Sequence, residues 1–495
     1  MKNRHLIIIG GGVAGLAAGC YARASGFHTT VLEHNLALGG VCTAWPRGPY
    51  LIDGCIQWLT GGPFAPLYDE LGISSRVSLR PIQEWVTYRD VASGLELPIT
   101  SDLDTLERAL FALGPDDGFE IHRLIEGARR FGTLHPPSAP PELATTGERL
   151  RDLWAMRGAI GPMMHFHQPI EVWANEHLHS KALRRMLTRL VPPGSSTLVL
   201  LMSLGYLEQG YLSRPVGGTR AFRDALIQTY EWLGGEVQLN ATVDEVLIKH
   251  ERAVGVRLAD GTILEADAVV STASLPETAL RLLGGRHVDH DTRARLANWK
   301  MFDPIVLLTL GVDTALSTVP SHMLVDGLEP FEVGGRSTEC FSLRVFHDEP
   351  GFAPAGHTVV QAMVPTNYAW WATRGTGYQQ EKETVRDLLC AQVEQVLPDL
   401  GLHIHMSDVA TPLSYWMMAR SWRGAFEGWV PTPEALGSHL PKVLPGLHGF
   451  YMAGQWVEPG GGVPVALQSG RQAVEILCAD WRVPFMRSPA LPVRV

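Results

Sequence analysis

Hydrophobic and polar positions change period several times along this chain, and each change predicts an element. Leu6 to Ile9 is an unbroken apolar run, the pattern of a strand covered on both faces. Glycines at 10, 12 and 15 then lead into a mostly apolar helix predicted to end near Ser25, and a second apolar run, Thr29 to Leu32, stops at Glu33. A stretch dense in turn residues follows, with a short strand at Tyr50 to Asp53 and a return helix. From Ser101 to Leu207 the period becomes helical: helices are predicted at Asp102–Leu113 and Glu176–Leu190, with a Pro-rich break at His135–Pro141. Alternation returns after Gly234 around two turn signals, His250-Glu251-Arg252 and Asp260-Gly261, which predicts an antiparallel meander and then a buried strand at Ala268–Ser271. Further strands are predicted at Ile305–Leu310, Cys340–Val345 and Thr358–Val364, with helices between them. The chain closes on a short strand, Phe450–Ala453, a glycine-rich loop, and a helix from about Val465 to Trp481.

The opening strand, G-x-G-x-x-G turn, helix, second strand and terminal acid form a complete βαβ unit for a dinucleotide. Gly10 makes the tight turn, Gly12 lets backbone amides approach a pyrophosphate, and Gly15 lets the helix pack on the strand. The phosphates then sit at the positive helix end and Glu33 takes a ribose hydroxyl. The fold class expected is α/β: a Rossmann-type dinucleotide domain with a β-meander, an inserted sheet-and-helix domain and a helical insertion.

With 495 residues the chain is long enough for two or three domains. Its net charge of −10, with no basic patch, argues against nucleic acid. Six scattered cysteines without a CxxC read as reduced thiols of a cytoplasmic protein. Met1 stands almost directly before the first strand, which leaves no room for a signal peptide. The longest apolar stretch, Thr197–Leu207, is too short to span a bilayer and is read as a buried helix, with a shallow peripheral membrane contact left open.

In the closing segment, Gly454, the loop Pro459-Gly460-Gly461-Gly462 and Val463-Pro464 expose a helix start whose amides and positive dipole end can face a ring carbonyl. Together with GGGVAGLAAGCYARASG, PVGGTRAFRDAL, the meander and YMAGQWVEPGGGVPVALQSGR, this resembles the phytoene desaturase family of FAD oxidoreductases, which includes carotenoid isomerases and retinol saturases. The resemblance spans nearly the whole chain. It implies an FAD-binding domain assembled from residues 1–100, 208–285 and 441–495, a helical insertion at 101–207 facing substrate or membrane, and a substrate domain at 286–440. It also implies a cofactor site of Gly10, Gly12, Ala14, Gly15, Glu33, Gly39, Gly40, Val41, Val243, Gly454, Gly461, Gly462 and Val463. Many relatives carry arginine after the GG pair where this chain has Val41, so Arg47 is the alternative phosphate contact.

The activity implied is desaturation of an apolar polyene or isoprenoid by hydride transfer to flavin N5, with electrons passed on to a quinone, oxygen or a protein partner. An isomerase or saturase of the same family, a flavin amine oxidase, and a non-catalytic lipid carrier resembling GDP-dissociation inhibitors are the alternatives. No catalytic triad is evident. The candidate acid or base groups are Glu458, Asp53, Arg420 and Glu427. The pairs His165/His167, His177/His179 and His403/His405 lack the cysteine or carboxylate partners that would complete a metal shell, so no metal is expected. Cys42 is read as a small residue in a crowded loop and not as a covalent flavin attachment. Trp154–Trp173 and Tyr415–Trp429 could equally be core or the wall of a tunnel.

Overall fold

The computed structural model describes residues 4–135, 137 and 139–487; Met1 and two residues of the Pro-rich break, Pro136 and Ser138, lie outside the described residues. A five-stranded sheet runs in the order Glu236–Gln238, His28–Leu32, His5–Ile9, Ala268–Ser271, Phe450–Met452, with every pairing parallel. Side chains alternate across a strand, and the opening run divides accordingly. Leu6 and Ile8 pack among Val13, Leu16 and Ala17 of the first helix (Val13–Ala24), while Ile7 and Ile9 pack among Val246 and Val256 of the meander. Both faces are covered, which is why the run is apolar throughout.

The last helix of the chain, Gly462–Asp480, lies directly against the first. The contact is close because of Gly470: a Cβ there would sit 2.5 Å from the Ala14 carbonyl oxygen and 3.1 Å from the Ala18 nitrogen. Helix Gly218–Trp232 packs on the same first helix where Gly19 leaves room for the Tyr230 ring. The meander forms as Val243–Lys249, Arg252–Leu258 and Ile263–Glu265, antiparallel, with His250 and Glu251 both at positive φ as a two-residue hairpin turn demands.

A second sheet has seven strands in the order Ile404–Ala410, Ile305–Val312, Thr358–Pro365, Phe341–Val345, His322–Asp326, Glu84–Asp90, Leu95–Thr100. The last two come from the segment expected in the first cofactor portion. They belong instead to the sheet otherwise built from residues 305–410, because Glu84–Asp90 pairs in parallel with His322–Asp326 (Met323 opposite Thr87) and buries Trp85, Val86 and Tyr88.

Helices dominate residues 103–208. The single helix expected at Glu176–Leu190 is two, Ile170–His177 and Lys181–Arg189. The break is fixed by Asp117, whose buried carboxylate accepts the amides of His179 (2.6 Å) and Ser180 (2.9 Å), while Ser180 Oγ caps Leu183. Thr197–Glu208 is a buried helix crossing Gly118–Gly132 at Gly205 and Gly132. Among the described residues no helix is long and apolar enough to cross a membrane. The closing helix starts at Gly462, three residues before the expected Val465, since Gly461 (φ 50°) and Gly462 (φ 80°) turn the chain straight into it.

Candidate functional site

A single cavity of about 1870 Å³ extends from the ends of the parallel strands, past the start of the last helix, to the helical insertion. At its first end lies the glycine turn. Gly10 sits at φ 100°, and a Cβ on Gly15 would lie 2.0 Å from the Gly10 carbonyl oxygen, so side chains are excluded from the place where strand becomes helix. Gly39 donates its N–H to Gly11 O (2.9 Å), and a Cβ on Gly40 would lie 3.2 Å from Gly12 Cα. The two glycine pairs therefore stack backbone on backbone, a cradle that a larger residue would fill.

Glu33 closes this end. Its buried carboxylate accepts the amides of Gly11 (2.7 Å) and Asn35 (2.9 Å) and lies 2.7 Å from His34 Nδ1. Val41 and Val243 also line the cavity; the Val243 carbonyl accepts Arg281 Nη2 at 2.9 Å, and Arg281 is anchored by Glu277 and Asp244. Ala14 lines the cavity from the first helix turn. Arg47 does not reach it: the exposed guanidinium pairs with Asp408 at 2.9 Å, so it does not take the place left by Val41.

At the middle of the cavity Gly454, Gly461, Gly462 and Val463 form the wall. The Gly454 N–H is held by Ser469 Oγ (2.8 Å). The first turn of the 19-residue closing helix contributes Gly462 to Ala466 to the lining, so its unpaired N–H groups and positive dipole end open on the cavity. A glycine cradle, a buried acid bonded to its edge at Gly11, and a helix N-terminus further along the same cavity have the chemistry to take the pyrophosphate, ribose and ring of FAD.

The four candidate acid or base groups separate. Asp53 is not among the lining residues. It is fully buried, accepts the Thr219 amide at 2.8 Å and the Thr219 hydroxyl, and caps helix Gly218–Trp232. This is a structural role that its place in the YLIDG strand did not reveal. Arg420 lines the cavity but is exposed and stacks on Trp416 at 4.3 Å. Glu458 and Glu427 both face the cavity. Burial raises the Glu458 carboxyl while Lys442 pulls it back; burial alone pushes Glu427 up to about 7.

His165 bonds Glu120 (2.7 Å), His177 bonds the Trp173 carbonyl, His179 bonds Asp117, and His403 and His405 share Asp313 (2.8 and 2.7 Å). Among the described residues no group of three or more His, Cys, Asp or Glu side chains could hold a metal ion. Cys42 is buried in the wall beside Cys55. The two aromatic and methionine-rich stretches divide between roles. Met156, Met163 and His167 line the cavity while Trp154 (66 % exposed) and Met164 (74 %) face outward; Phe426 and Glu427 line it while Tyr415 and Trp429 are core. Trp58, Trp85, Met202, Tyr206 and Leu324 complete the far wall. Sequence reading missed them because they come from four separate segments with no shared motif.

The model of the family described as flavin containing amine oxidoreductase matches residues 13–478. A lycopene-forming phytoene desaturase of Pseudescherichia vulneris is 25 % identical, covering 96 % of this chain and 99 % of its own. An all-trans-zeta-carotene desaturase of Myxococcus xanthus is 24 % identical, covering 96 % and 94 %. Among solved structures, cyclohexylamine oxidase from Brevibacterium oxydans superposes with a TM-score of 0.59 at 16 % identity, over 97 % of this chain and 100 % of that one, a likeness of fold.

Proposed function

Because the chain belongs to the flavin containing amine oxidoreductase family and is an FAD-dependent oxidoreductase, we propose that it desaturates a long apolar polyene or isoprenoid. The observation that carries this reading is the continuity of the cavity: the glycine cradle and helix N-terminus open without a wall between them onto a space lined by Met156, Met163, Met202, Tyr206 and Leu324. At about 1870 Å³ it exceeds the roughly 300–1,000 Å³ of an ordinary ligand site, which leaves room for an extended substrate beside FAD.

FAD, when bound, supplies a two-electron acceptor for a hydride taken from an allylic carbon. The protein does the rest by position. The apolar wall excludes water and lays the substrate along the cavity; the Gly462 helix start stabilises negative charge gained opposite it, by about 0.3–2 kcal/mol. Saturation or isomerisation would use the same positions with the electron flow reversed or cancelled. The family assignment favours an enzyme over a non-catalytic carrier.

The protein is read as cytoplasmic with a peripheral membrane contact. Leu150, Leu153, Trp154, Ile160 and Met164 are exposed on the helices whose other face, at Met156 and Met163, lines the cavity.

The test is anaerobic mixing of the oxidised, FAD-loaded protein with a panel of polyenes, their more saturated forms and alkylamines, with visible flavin absorbance as the readout. Bleaching by a partly saturated polyene is the expected result. Bleaching by amines alone would replace this reading with an amine oxidase.

A further inference from the structure

The cavity is lined by several carboxylates, and all but one are spoken for. Glu33 binds two backbone amides, Glu277 holds Arg281, Asp303 pairs with Arg336, Glu339 pairs with Arg189, Asp152 lies by Arg151, and Glu458 faces Lys442. Of the lining carboxylates among the described residues, Glu427 is the one with neither a side-chain hydrogen bond nor a cation acting on it. Its Oε1 lies 3.7 Å from the point a Cβ on Gly462 would occupy, beside the helix start that faces the ring position of the cofactor. Phe426 precedes it and packs edge-on against the buried Tyr415 ring, centroids 6.0 Å apart. Glu427 is half-buried and its carboxylate opens on the cavity, where partial burial with no cation nearby disfavours the ionised form. Nothing in the packing gains by it.

We propose that Glu427 is the catalytic base of the desaturation, taking the proton from the carbon next to the one that gives up hydride. The inference rests on the desaturase reading above. In the step two C–H bonds break and one C=C bond forms. One hydrogen leaves with its electron pair to oxidised FAD, which is thereby reduced; the other leaves as a proton to a Glu427 carboxylate oxygen, and its bonding pair becomes the new π bond. The protonated Glu427 later releases its proton to solvent.

Burial sets the carboxyl near 7, so a substantial share is ionised and able to accept a proton at neutral pH. Of the titratable groups near it, Cys55 is the one that feels the Glu427 charge; Cys42 together with burial raises Cys55, and burial raises Tyr415, whose ring packs on Phe426, so both stay neutral through the range in which Glu427 titrates.

The experiment is single-turnover bleaching of the anaerobic, FAD-loaded protein by whichever polyene bleaches the wild type, for wild type, Glu427→Gln and Glu427→Asp across pH 5–9, alongside FAD content and substrate affinity. Infrared difference spectra of the cofactor-free protein provide a second readout. A carboxylic-acid band should titrate around pH 7 in wild type and be absent from Glu427→Gln. Glu427→Gln should hold FAD and bind substrate as wild type does yet bleach about 100- to 10,000-fold more slowly, Glu427→Asp should recover part of the rate, and the wild-type rate should rise through pH 7. A Glu427→Gln protein bleaching at the wild-type rate, a wild-type rate flat through pH 7, or a variant that loses FAD would overturn the assignment. If no polyene bleaches wild type, the desaturase reading itself falls and the base with it.

Discussion

Replacing Gly470 by alanine tests the contact that brings the two ends of the chain together around one cofactor. In an ordinary helix interior the change stabilises by about 1 kcal/mol, because alanine restricts the unfolded chain and glycine does not. Here the new Cβ would lie 2.5 Å from the Ala14 carbonyl oxygen, about 0.9 Å inside the 3.4 Å at which ordinary contact begins, and 3.1 Å from the Ala18 nitrogen. Both neighbours are backbone atoms of a buried helix, so no side-chain rotation relieves the clash and the two helices must part. Overpacking of this kind costs about 1–3 kcal/mol or somewhat more, which outweighs the helix gain and leaves a net loss of about 1–2 kcal/mol. The first helix carries the glycine turn at its start and the last helix carries Gly462, so their separation also loosens the cofactor site. At 1.4 kcal/mol per factor of ten, FAD affinity should fall about 5- to 30-fold. Gly161→Ala is the control: it lies in helix Ile160–Phe166 with nothing within 4 Å of the new Cβ, and should be neutral or stabilising by up to about 1 kcal/mol. Denaturant unfolding and FAD titration of the two variants decide it. A Gly470→Ala protein as stable as wild type with unchanged FAD affinity would refute the close-packing argument.

Glu33→Gln removes a charge that binds two backbone amides at 2.7 and 2.9 Å, and should cost about 1.5–3 kcal/mol of FAD binding, read as at least a tenfold rise in Kd by fluorescence titration. Asp326 is fully buried between Arg185 (2.8 Å), Arg189 (3.4 Å) and Tyr88 (2.8 Å), and although burial opposes its ionisation these partners hold its carboxyl below the usual aspartate value. A depressed carboxylate stabilises above its unfolded pKa and loses that contribution as pH falls through the folded one; stability should therefore drop below about pH 4, and Asp326→Asn, which leaves the partly exposed Arg185 and Arg189 with Glu339 as their remaining carboxylate, should cost about 1–3 kcal/mol at pH 7 in urea melts and shrink the acid limb. Leu153→Glu with Trp154→Glu places two charges on the exposed face of helix Thr146–Ala155 and should reduce co-sedimentation with phosphatidylcholine/phosphatidylglycerol vesicles without changing FAD content; unchanged sedimentation would remove that face from any membrane contact. Met202→Trp, which fills the far wall, should abolish bleaching by long polyenes and leave FAD content intact.

Much of the fold is legible in short stretches. Leu6–Ile9, the glycines at 10, 12 and 15, the run to Glu33 and the Gly460–Gly462 loop each reflect a constraint satisfied within a few residues: burial on both faces, a positive φ, room for a backbone approach. Those constraints act locally, so sequence alone foretold the backbone turns at both ends of the chain. The roles of the charged residues were decided elsewhere. Asp53 became a helix cap because Thr219 folds onto it, and Arg47 turned to Asp408. Glu84–Asp90 joined a sheet more than 200 residues away because its buried face matched that of His322–Asp326. Glu427 reads as an ordinary loop acid until the packing of Phe426 and the last helix half-buries it at the cavity wall and gives it no cation. Backbone conformation is set by neighbours in the chain, whereas desolvation and charge pairing are sums over segments remote in sequence, and only the tertiary structure brings those together.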